Sequence, residues 1–91
     1  MEYNYPLDME WSKEEMMEVI DFYQIVERAY ESKAKKEEIM EKYNKFKKIV
    51  PSKSEEKTLC KDFEKQSGYV PYRVVQAAKK DENNDFIIMK K

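Results

Sequence analysis

Residues 11–30 read WSKEEMMEVIDFYQIVERAY, and this stretch decides the fold class. Ser12, followed three residues later by Glu15, has the spacing of a capping box, which predicts that a helix begins at this serine. Apolar residues then recur at helical spacing and cover more than one face of the helix, as Met16, Met17, Val19, Ile20, Phe22, Tyr23, Ile25, Val26, Ala29 and Tyr30. Because such a helix contacts several neighbours, we expect it to lie at the centre of a helical fold.

A second and a third helix are predicted further along the chain. The apolar spacing lapses at residues 32–35, which indicates a connection between two helices, and resumes until about Val50. Pro51 ends the second helix, and Ser52 with Glu55 repeats the capping-box spacing at the start of the third. The sequence therefore predicts three long helices in succession.

One glycine and one proline delimit a short fourth helix. Gly68 directly follows the last periodic residue of the third helix, where a left-handed glycine commonly caps a helix. Pro71 lies at a position suited to a first helical residue, and the fourth helix ends near residues 79–80. The predicted fold is all-α, a compact irregular array of three longer helices and one short helix.

The segments outside the helices differ in character. Residues 1–11 form an extended N-terminal arm, in which alternation places one set of side chains on a common side: Tyr3, Tyr5, Leu7, Met9 and Trp11. Residues 81–91 form a short C-terminal tail, and its apolar stretch at 86–89 is expected to dock beside the arm or to join two copies in a homodimer. We therefore interpret residues 1–91 as one domain with a helical core at 12–80.

The core is expected to combine apolar residues from all four helices. The predicted core residues are Met16, Val19, Ile20, Tyr23, Val26, Ile39, Tyr43, Phe46, Leu59, Phe63, Val74 and Val75. A chain of 91 residues has a small core, so its stability is expected to be about 5–14 kcal/mol, with little reserve for a strained catalytic site.

Residue usage argues against catalysis and against metal binding. The chain has no histidine and a single cysteine, Cys60, which lies on the apolar stripe of the third helix and is expected to be a buried small hydrophobe. The spacing Asp81-x-Asn83-x-Asp85 resembles the first half of a calcium loop, but Phe86 stands where the loop needs glycine. The sequence therefore predicts no catalytic residue, no metal site and no cofactor.

The formal net charge of −1 conceals an uneven distribution. Residues 1–31 hold nine acidic and two basic groups, whereas residues 32–65 hold eleven lysines and seven acidic groups. We expect this asymmetry to reflect attraction between the first helix and the later ones, with a basic patch for an acidic partner as the alternative. No apolar run is long enough for a signal peptide or a membrane span, which predicts a cytoplasmic protein without membrane contact.

Two binding functions are consistent with these residues. A cluster around the start of the fourth helix has the composition of an interaction surface and comprises Tyr69, Tyr72, Arg73 and Gln76. It favours a non-catalytic protein-interaction module with an unidentified protein partner. The alternative is nucleic-acid binding through the basic surface of helices two to four, with a helix-turn-helix-like segment at 59–80. Glu64 and Ser67 stand where that motif prefers a small and an apolar residue, which disfavours the alternative.

Three motifs resemble the uncharacterised protein family numbered 0223 in the UPF series. They are W-S-x-E-E-M at residues 11–16, V-P-S-K-x-E-E-K-x-L-C-K-x-F-E at residues 50–64 and S-G-Y-x-x-Y-R-V-V at residues 67–75. With the arm, the resemblance covers residues 3–80. It implies a small all-α bacterial protein, mainly from low-GC Gram-positive species and located in the cytoplasm, and it implies no activity, substrate, cofactor or functional residue.

Overall fold

The computed structural model describes residues 5–81 and 84–90 and contains four helices in chain order. These are α1 at Lys13–Glu31, α2 at Lys36–Ile49, α3 at Lys53–Ser67 and α4 at Pro71–Lys80. Two short strands accompany them, β1 at Ala34–Lys35 and β2 at Phe86–Ile87. The predicted all-α fold of three longer helices and one short helix is confirmed.

The helix ends follow the local signals in the sequence. At the start of α1, the Ser12 hydroxyl accepts from the amide of Glu15 at 3.2 Å, while the Glu15 carboxylate accepts from the amide of Ser12 at 2.9 Å. At the start of α3, the Ser52 hydroxyl accepts from the amide of Glu55 at 3.5 Å. Gly68 ends α3 with φ 81°, a left-handed conformation that costs other residues energy. All three predicted boundaries are confirmed.

Aromatic rings from three helices meet in the core. The rings of Tyr23 and Phe63 stack with centroids 4.7 Å apart, and those of Phe22 and Phe46 stack at 4.8 Å. All four side chains are almost completely buried. Since Phe22 and Tyr23 are neighbours in α1, this helix contacts α2 with one side and α3 with another, which confirms its central place.

The core extends beyond the predicted residues. Eight of the twelve are buried, whereas Met16, Ile20, Tyr43 and Leu59 are half-buried. The buried residues that were not predicted are Phe22, Ile25, Ala29, Ala34, Val50, Ser67, Pro71, Ala78 and Ile87. Three of these lie on α1, because its neighbours cover more of its circumference than a single apolar stripe.

The arm departs from simple alternation. Three of its residues pack partly against the core, namely Tyr5, Leu7 and Trp11. Met9 is instead 88% exposed. The amide of Trp11 donates to the carbonyl of Asp8 at 3.1 Å, so the chain turns between these residues and the side-to-side alternation ends there. The prediction for Tyr3 lies outside the described residues.

The C-terminal tail pairs with the connection between α1 and α2. Strands β1 and β2 are antiparallel, with Ala34 opposite Ile87. The amide of Met89 also donates to the carbonyl of Ala29 at 2.7 Å, and Ile87 is only 3% exposed. The predicted connection at 32–35 therefore contains a short strand, and this strand is the partner of the tail.

Candidate functional site

A groove bordered by α2, α3 and α4, which we call the basic groove, is the candidate functional site. It encloses a cavity of about 420 Å³. Lys47 reaches it from α2, Lys53 and Lys57 from α3, and Lys79 from α4. The only carboxylate among the described lining residues is that of Glu56. The groove therefore has an excess of positive charge, although the whole chain has a slight excess of negative charge.

Helical periodicity brings these side chains to the groove. Four lining residues of α3 follow the spacing i, i+3, i+4 and i+7 that defines one helix face: Lys53, Glu56, Lys57 and Cys60. The other two helices contribute residues at the same kind of spacing, Tyr43 and Lys47 from α2, and Tyr72, Gln76 and Lys79 from α4. Each helix thus presents one polar face to the groove.

Glu56 links α3 to α2 across the groove. One of its carboxylate oxygens lies 2.7 Å from Nζ of Lys47, and the other accepts from the Tyr43 hydroxyl at 3.0 Å. The side chains of Lys47 and Glu56 are 28% and 19% exposed. This partial burial strengthens the pair relative to one on an open surface. The charge of Lys47 is therefore neutralised within the chain.

The remaining three lysines of the groove differ from Lys47 in their surroundings. Among the described residues, no carboxylate lies within ion-pair distance of Nζ of Lys53, Lys57 or Lys79. Nζ of Lys79 lies 5.5 Å from the ring centroid of Tyr43, which is a cation–π contact. These three exposed ammonium groups give the groove its surplus positive charge.

Attraction between α1 and the later helices accounts for only part of the charge asymmetry. Asp21 of α1 lies 3.9 Å from Lys42 of α2, and Arg28 lies 3.5 Å from Glu38. These pairs join α1 to α2 on a side of α2 whose residues do not line the groove. The acidic first helix therefore does not neutralise the groove lysines.

The groove combines this charge with apolar surface. Phe22, Pro71 and Val75 line it and are buried in the core beneath. Tyr72 also lines it and is 65% exposed, so much of its ring area is available for contact. Apolar area surrounded by charged groups is typical of a surface that binds another molecule.

Cys60 lies in the basic groove rather than deep in the core. It is half-buried, whereas the sequence predicted a buried residue. Burial, followed by the nearby charge of Glu56, raises the pKa of the thiol to about 12, although Lys47 opposes this shift. The thiol is therefore protonated at neutral pH and is a poor nucleophile.

The four residues of the predicted interaction surface do not form one cluster. Tyr72 and Gln76 line the basic groove, whereas Arg73 is exposed outside it. Tyr69 packs on α1, with its ring stacked on that of Tyr30 at a centroid distance of 4.7 Å. Since Tyr69 precedes α4 and Arg73 is one position from Tyr72 on the helix, the predicted residues lie in different directions.

Tyr69 also forms a hydrogen bond at the end of α1. Its hydroxyl donates to the carboxylate of Glu31 at 2.8 Å. This bond, more than burial, raises the pKa of the Tyr69 phenol to about 12. Tyr69 therefore links the turn after α3 to the end of α1 through this hydrogen bond.

In the helix-turn-helix-like segment at 59–80, the turn accommodates Ser67 where the motif prefers an apolar residue. Ser67 is buried, and its hydroxyl donates to the carbonyl of Phe63 at 2.7 Å, so a polar residue is tolerated before Gly68. In α4, however, Gln76 and Lys79 line a groove formed with the chain's own α2 and α3. These two side chains therefore lie in a concave surface shared with α2 and α3. In a recognition helix they would project away from the rest of the protein.

The described residues contain no group of three or more cysteine, aspartate or glutamate side chains arranged to hold a metal ion. In the turn after α4, the amide of Asn84 donates to the Asp81 carboxylate at 2.9 Å, and its side chain donates to the same carboxylate at 3.0 Å. The Asn83 position of the calcium-like motif lies outside the described residues.

Within the described ranges, no helix has both the length and the hydropathy needed to cross a bilayer.

Sequence reasoning placed Tyr72 and Gln76 in the predicted interaction surface, and it placed the groove lysines in the alternative, the basic surface of helices two to four. The spacing on α3 was visible, because Lys53, Lys57 and Cys60 fall on one face of any helix over this region. The spacing could not show which other helix packs against that face. Whether it meets α2, α4 or solvent depends on how the helices pack.

Comparison with known proteins places this chain in one group of sequences. The model of a family described as uncharacterised protein family UPF0223 matches residues 2–87. A UPF0223 protein of Bacillus pumilus is 53% identical over 89 residues, covering 98% of this chain and 100% of the relative. The UPF0223 protein YktA of Bacillus subtilis is 51% identical, covering 91% of this chain and 94% of the relative. A UPF0223 protein of Staphylococcus epidermidis is 49% identical, covering 91% of this chain and 90% of the relative.

Proposed function

We propose a binding function for this chain, which belongs to the uncharacterised protein family UPF0223. It acts as a non-catalytic protein-interaction module of the bacterial cytoplasm. Its basic groove binds an acidic segment of a partner protein that also carries an apolar side chain. The lysines provide charge complementarity, and the apolar surface beneath them provides contact area.

One observation carries this proposal. Lys53, Lys57 and Lys79 surround a groove with an apolar floor, and none of the three has a carboxylate partner among the described residues. A cluster of like charges in a concave site repels itself, and a ligand of opposite charge relieves that repulsion. Tyr72, with 65% of its surface exposed, supplies an aromatic side chain of the type that contributes strongly to protein interfaces.

A protein segment fits the groove better than a nucleic-acid backbone does. The floor of the groove is apolar and can contact an apolar side chain of a protein segment, whereas nucleic-acid phosphates offer no such group. The chain as a whole also has a formal net charge of −1, whereas nucleic-acid-binding domains usually carry an excess of positive charge. Nucleic-acid binding through helices two to four stays the second candidate, because the same lysines attract any polyanion.

The chemistry of the groove supports binding rather than catalysis. The thiol of Cys60 is protonated at neutral pH because its pKa is raised to about 12. The carboxylate of Glu56 is engaged by Lys47 and Tyr43, so it is not free to act as a general base. A site without an activated nucleophile or a free base is suited to holding a ligand without transforming it.

Fluorescence anisotropy with a labelled peptide tests this proposal. The peptide contains glutamates interspersed with leucine and phenylalanine, and a peptide with lysine in place of glutamate is the ligand control. We expect the double variant Lys57→Glu, Lys79→Glu to weaken binding of the acidic peptide by about tenfold or more. The matched control Lys48→Glu, Lys61→Glu changes the same net charge at exposed positions outside the groove and is expected to weaken binding by less than about threefold.

Three results would contradict the proposal. They are an equal loss in the two double variants, equal binding of the lysine-containing peptide, and no binding of the acidic peptide at about 50 mM salt. Labelled single-stranded and duplex oligonucleotides, measured in the same buffer, test the second candidate. Tighter binding of an oligonucleotide than of the peptide, with a steep salt dependence, would replace the protein partner with a nucleic acid.

A further inference from the structure

We propose that the Glu56 carboxylate is an internal competitor that occupies the anion position of the basic groove and must leave it before an acidic ligand binds fully. This inference rests on the proposed function, because it concerns the regulation of that same groove. Glu56 is then an autoinhibitory residue. Once it has moved, Lys47 and Tyr43 donate to the carboxylate of the ligand.

The contacts of Glu56 are those that a bound ligand carboxylate would make. One oxygen lies 2.7 Å from the Lys47 ammonium, and the other accepts from the Tyr43 phenol at 3.0 Å. A charged donor and a neutral donor thus hold the two oxygens of one carboxylate, as in many recognition sites for acidic side chains. An incoming glutamate or aspartate would find both donors already in use.

The location of the pair agrees with this role. The Glu56 side chain is 19% exposed, so it lies inside the groove and not on its rim. The ring of Tyr43, beneath the Lys79 ammonium, continues from this position toward α4. A ligand that lies along the groove between Lys57 and Lys79 therefore passes over Glu56 and is repelled by it.

A purely structural pair is the alternative, because Glu56 also joins α3 to α2. The two roles differ in their consequences. A structural pair stabilises the fold, and its removal lowers stability without strengthening ligand binding. An internal competitor lowers the affinity of the groove, so its removal strengthens binding even when some stability is lost.

The test compares Glu56→Gln with Glu55→Gln by anisotropy of the acidic peptide. Glutamine keeps the shape and can still accept from Tyr43, but it leaves the Lys47 charge available to the ligand. Glu55 is the adjacent, exposed residue of α3 outside the groove, so its variant makes the same change in net charge. We expect Glu56→Gln to bind about tenfold more tightly than the unmodified protein and Glu55→Gln to differ from it by less than about twofold.

Equal affinities of the two variants, or weaker binding by Glu56→Gln, would overturn the inference. Circular dichroism establishes that each variant is folded. If Glu56→Gln does not fold, Glu56→Met decides, because it also removes the charge while keeping a side chain of similar length. We expect a gain of about fivefold or more for Glu56→Met, and unchanged or weaker binding would count against the inference.

The two proposals fail in different ways. If neither the unmodified protein nor any variant binds the acidic peptide, the proposed function is wrong. If the unmodified protein binds, and Lys57→Glu, Lys79→Glu abolishes binding, but Glu56→Gln does not strengthen it, the proposed function stands and Glu56 is a structural residue only.

Discussion

The Lys47 ammonium lies 2.7 Å from the Glu56 carboxylate, in a groove where three other lysines have no carboxylate partner among the described residues. The chain therefore satisfies one positive charge internally and leaves the others available to solvent or to a ligand. Because both members of the pair are less than one-third exposed, their attraction is less screened than that of the surface pairs elsewhere on the helices. The centre of the groove therefore holds a neutralised lysine, whereas the lysines on its rim keep their positive charge.

The reactivity of Cys60 reports the environment of the groove. Burial and the nearby Glu56 carboxylate raise the pKa of the thiol from 9.0 to about 12. At pH 8, we expect alkylation of the folded protein by iodoacetamide to be about a hundredfold or more slower than that of a free cysteine. Glu56→Gln should raise the rate, because it removes a charge that opposes the thiolate. An alkylation rate equal to that of free cysteine, measured by mass spectrometry, would contradict the raised pKa of the Cys60 thiol.

Stability should decrease in alkaline solution. The pKa is raised to about 12 for Cys60, and also for Tyr43 and Tyr69. The unfolded chain therefore loses these protons first, near pH 9 for the thiol and near pH 10 for the phenols, so the folded state binds more protons and the free energy of unfolding falls as the pH rises.

Urea unfolding, followed by Trp11 fluorescence, measures this dependence. We expect little effect of these groups below pH 9 and a progressive loss of stability between pH 9 and pH 12. Tyr69→Phe removes one of the groups and should make the loss shallower. An unchanged or rising free energy of unfolding between pH 9 and pH 11 would be inconsistent with these raised pKa values.

Ile87 in the C-terminal tail should matter for stability, whereas its neighbour Ile88 should not. Ile87 is 3% exposed, but Ile88 is 66% exposed. We expect Ile87→Ala to lower the free energy of unfolding by about 2–4 kcal/mol, through lost burial and the cavity that remains. The matched change Ile88→Ala should cost less than about 0.5 kcal/mol. Urea denaturation measures both, and equal effects would mean that the tail is not part of the folded core.

Gly68 should resist substitution because of its backbone conformation. Its φ of 81° places a side chain at this position close to the backbone. We expect Gly68→Ala to lower the free energy of unfolding by about 1–2 kcal/mol and Gly68→Asn to lower it by less, since asparagine tolerates this region better. If alanine instead stabilises the protein, as it can where glycine has ordinary φ, the left-handed cap is not present in solution.

The helices could be predicted from the sequence because their signals are local. Ser12 with Glu15 fixed the start of α1, and Gly68 with Pro71 fixed the boundary between α3 and α4. Each signal involves residues within a few positions of each other, so no knowledge of tertiary packing was needed. The same local character explains why three longer helices and one short helix could be predicted.

The features that sequence reasoning missed are a strand pair between distant residues and a local turn in the arm. The pairing of Ala34 with Ile87 involves strands of two residues, which are too short to carry a periodicity. Met9 is exposed because the backbone turns at Asp8, where a regular alternation was expected to continue. Both differences come from tertiary contacts and a turn that override a regular pattern.

The sequence predicted a basic surface on helices two to four, but it did not predict the groove itself. Its lysines and Glu56 belong to three different helices, and sequence spacing determines which residues share a face but not which faces meet. The predicted cluster around Tyr69 instead assumed that residues close in sequence lie together. On α4 and the turn before it, successive residues point in different directions, so Tyr69 contacts α1 while Tyr72 lines the groove.

Chemical-shift mapping tests the central claim, that the basic groove binds an acidic protein segment, most directly. The protein is labelled with ¹⁵N and titrated with the unlabelled acidic peptide, and the backbone amide shifts are followed to saturation. We predict that the largest shifts lie in three segments around the groove, residues 43–47, 53–60 and 72–79. Shifts centred on the N-terminal half of α1, or no saturable shifts at millimolar peptide, would contradict the claim.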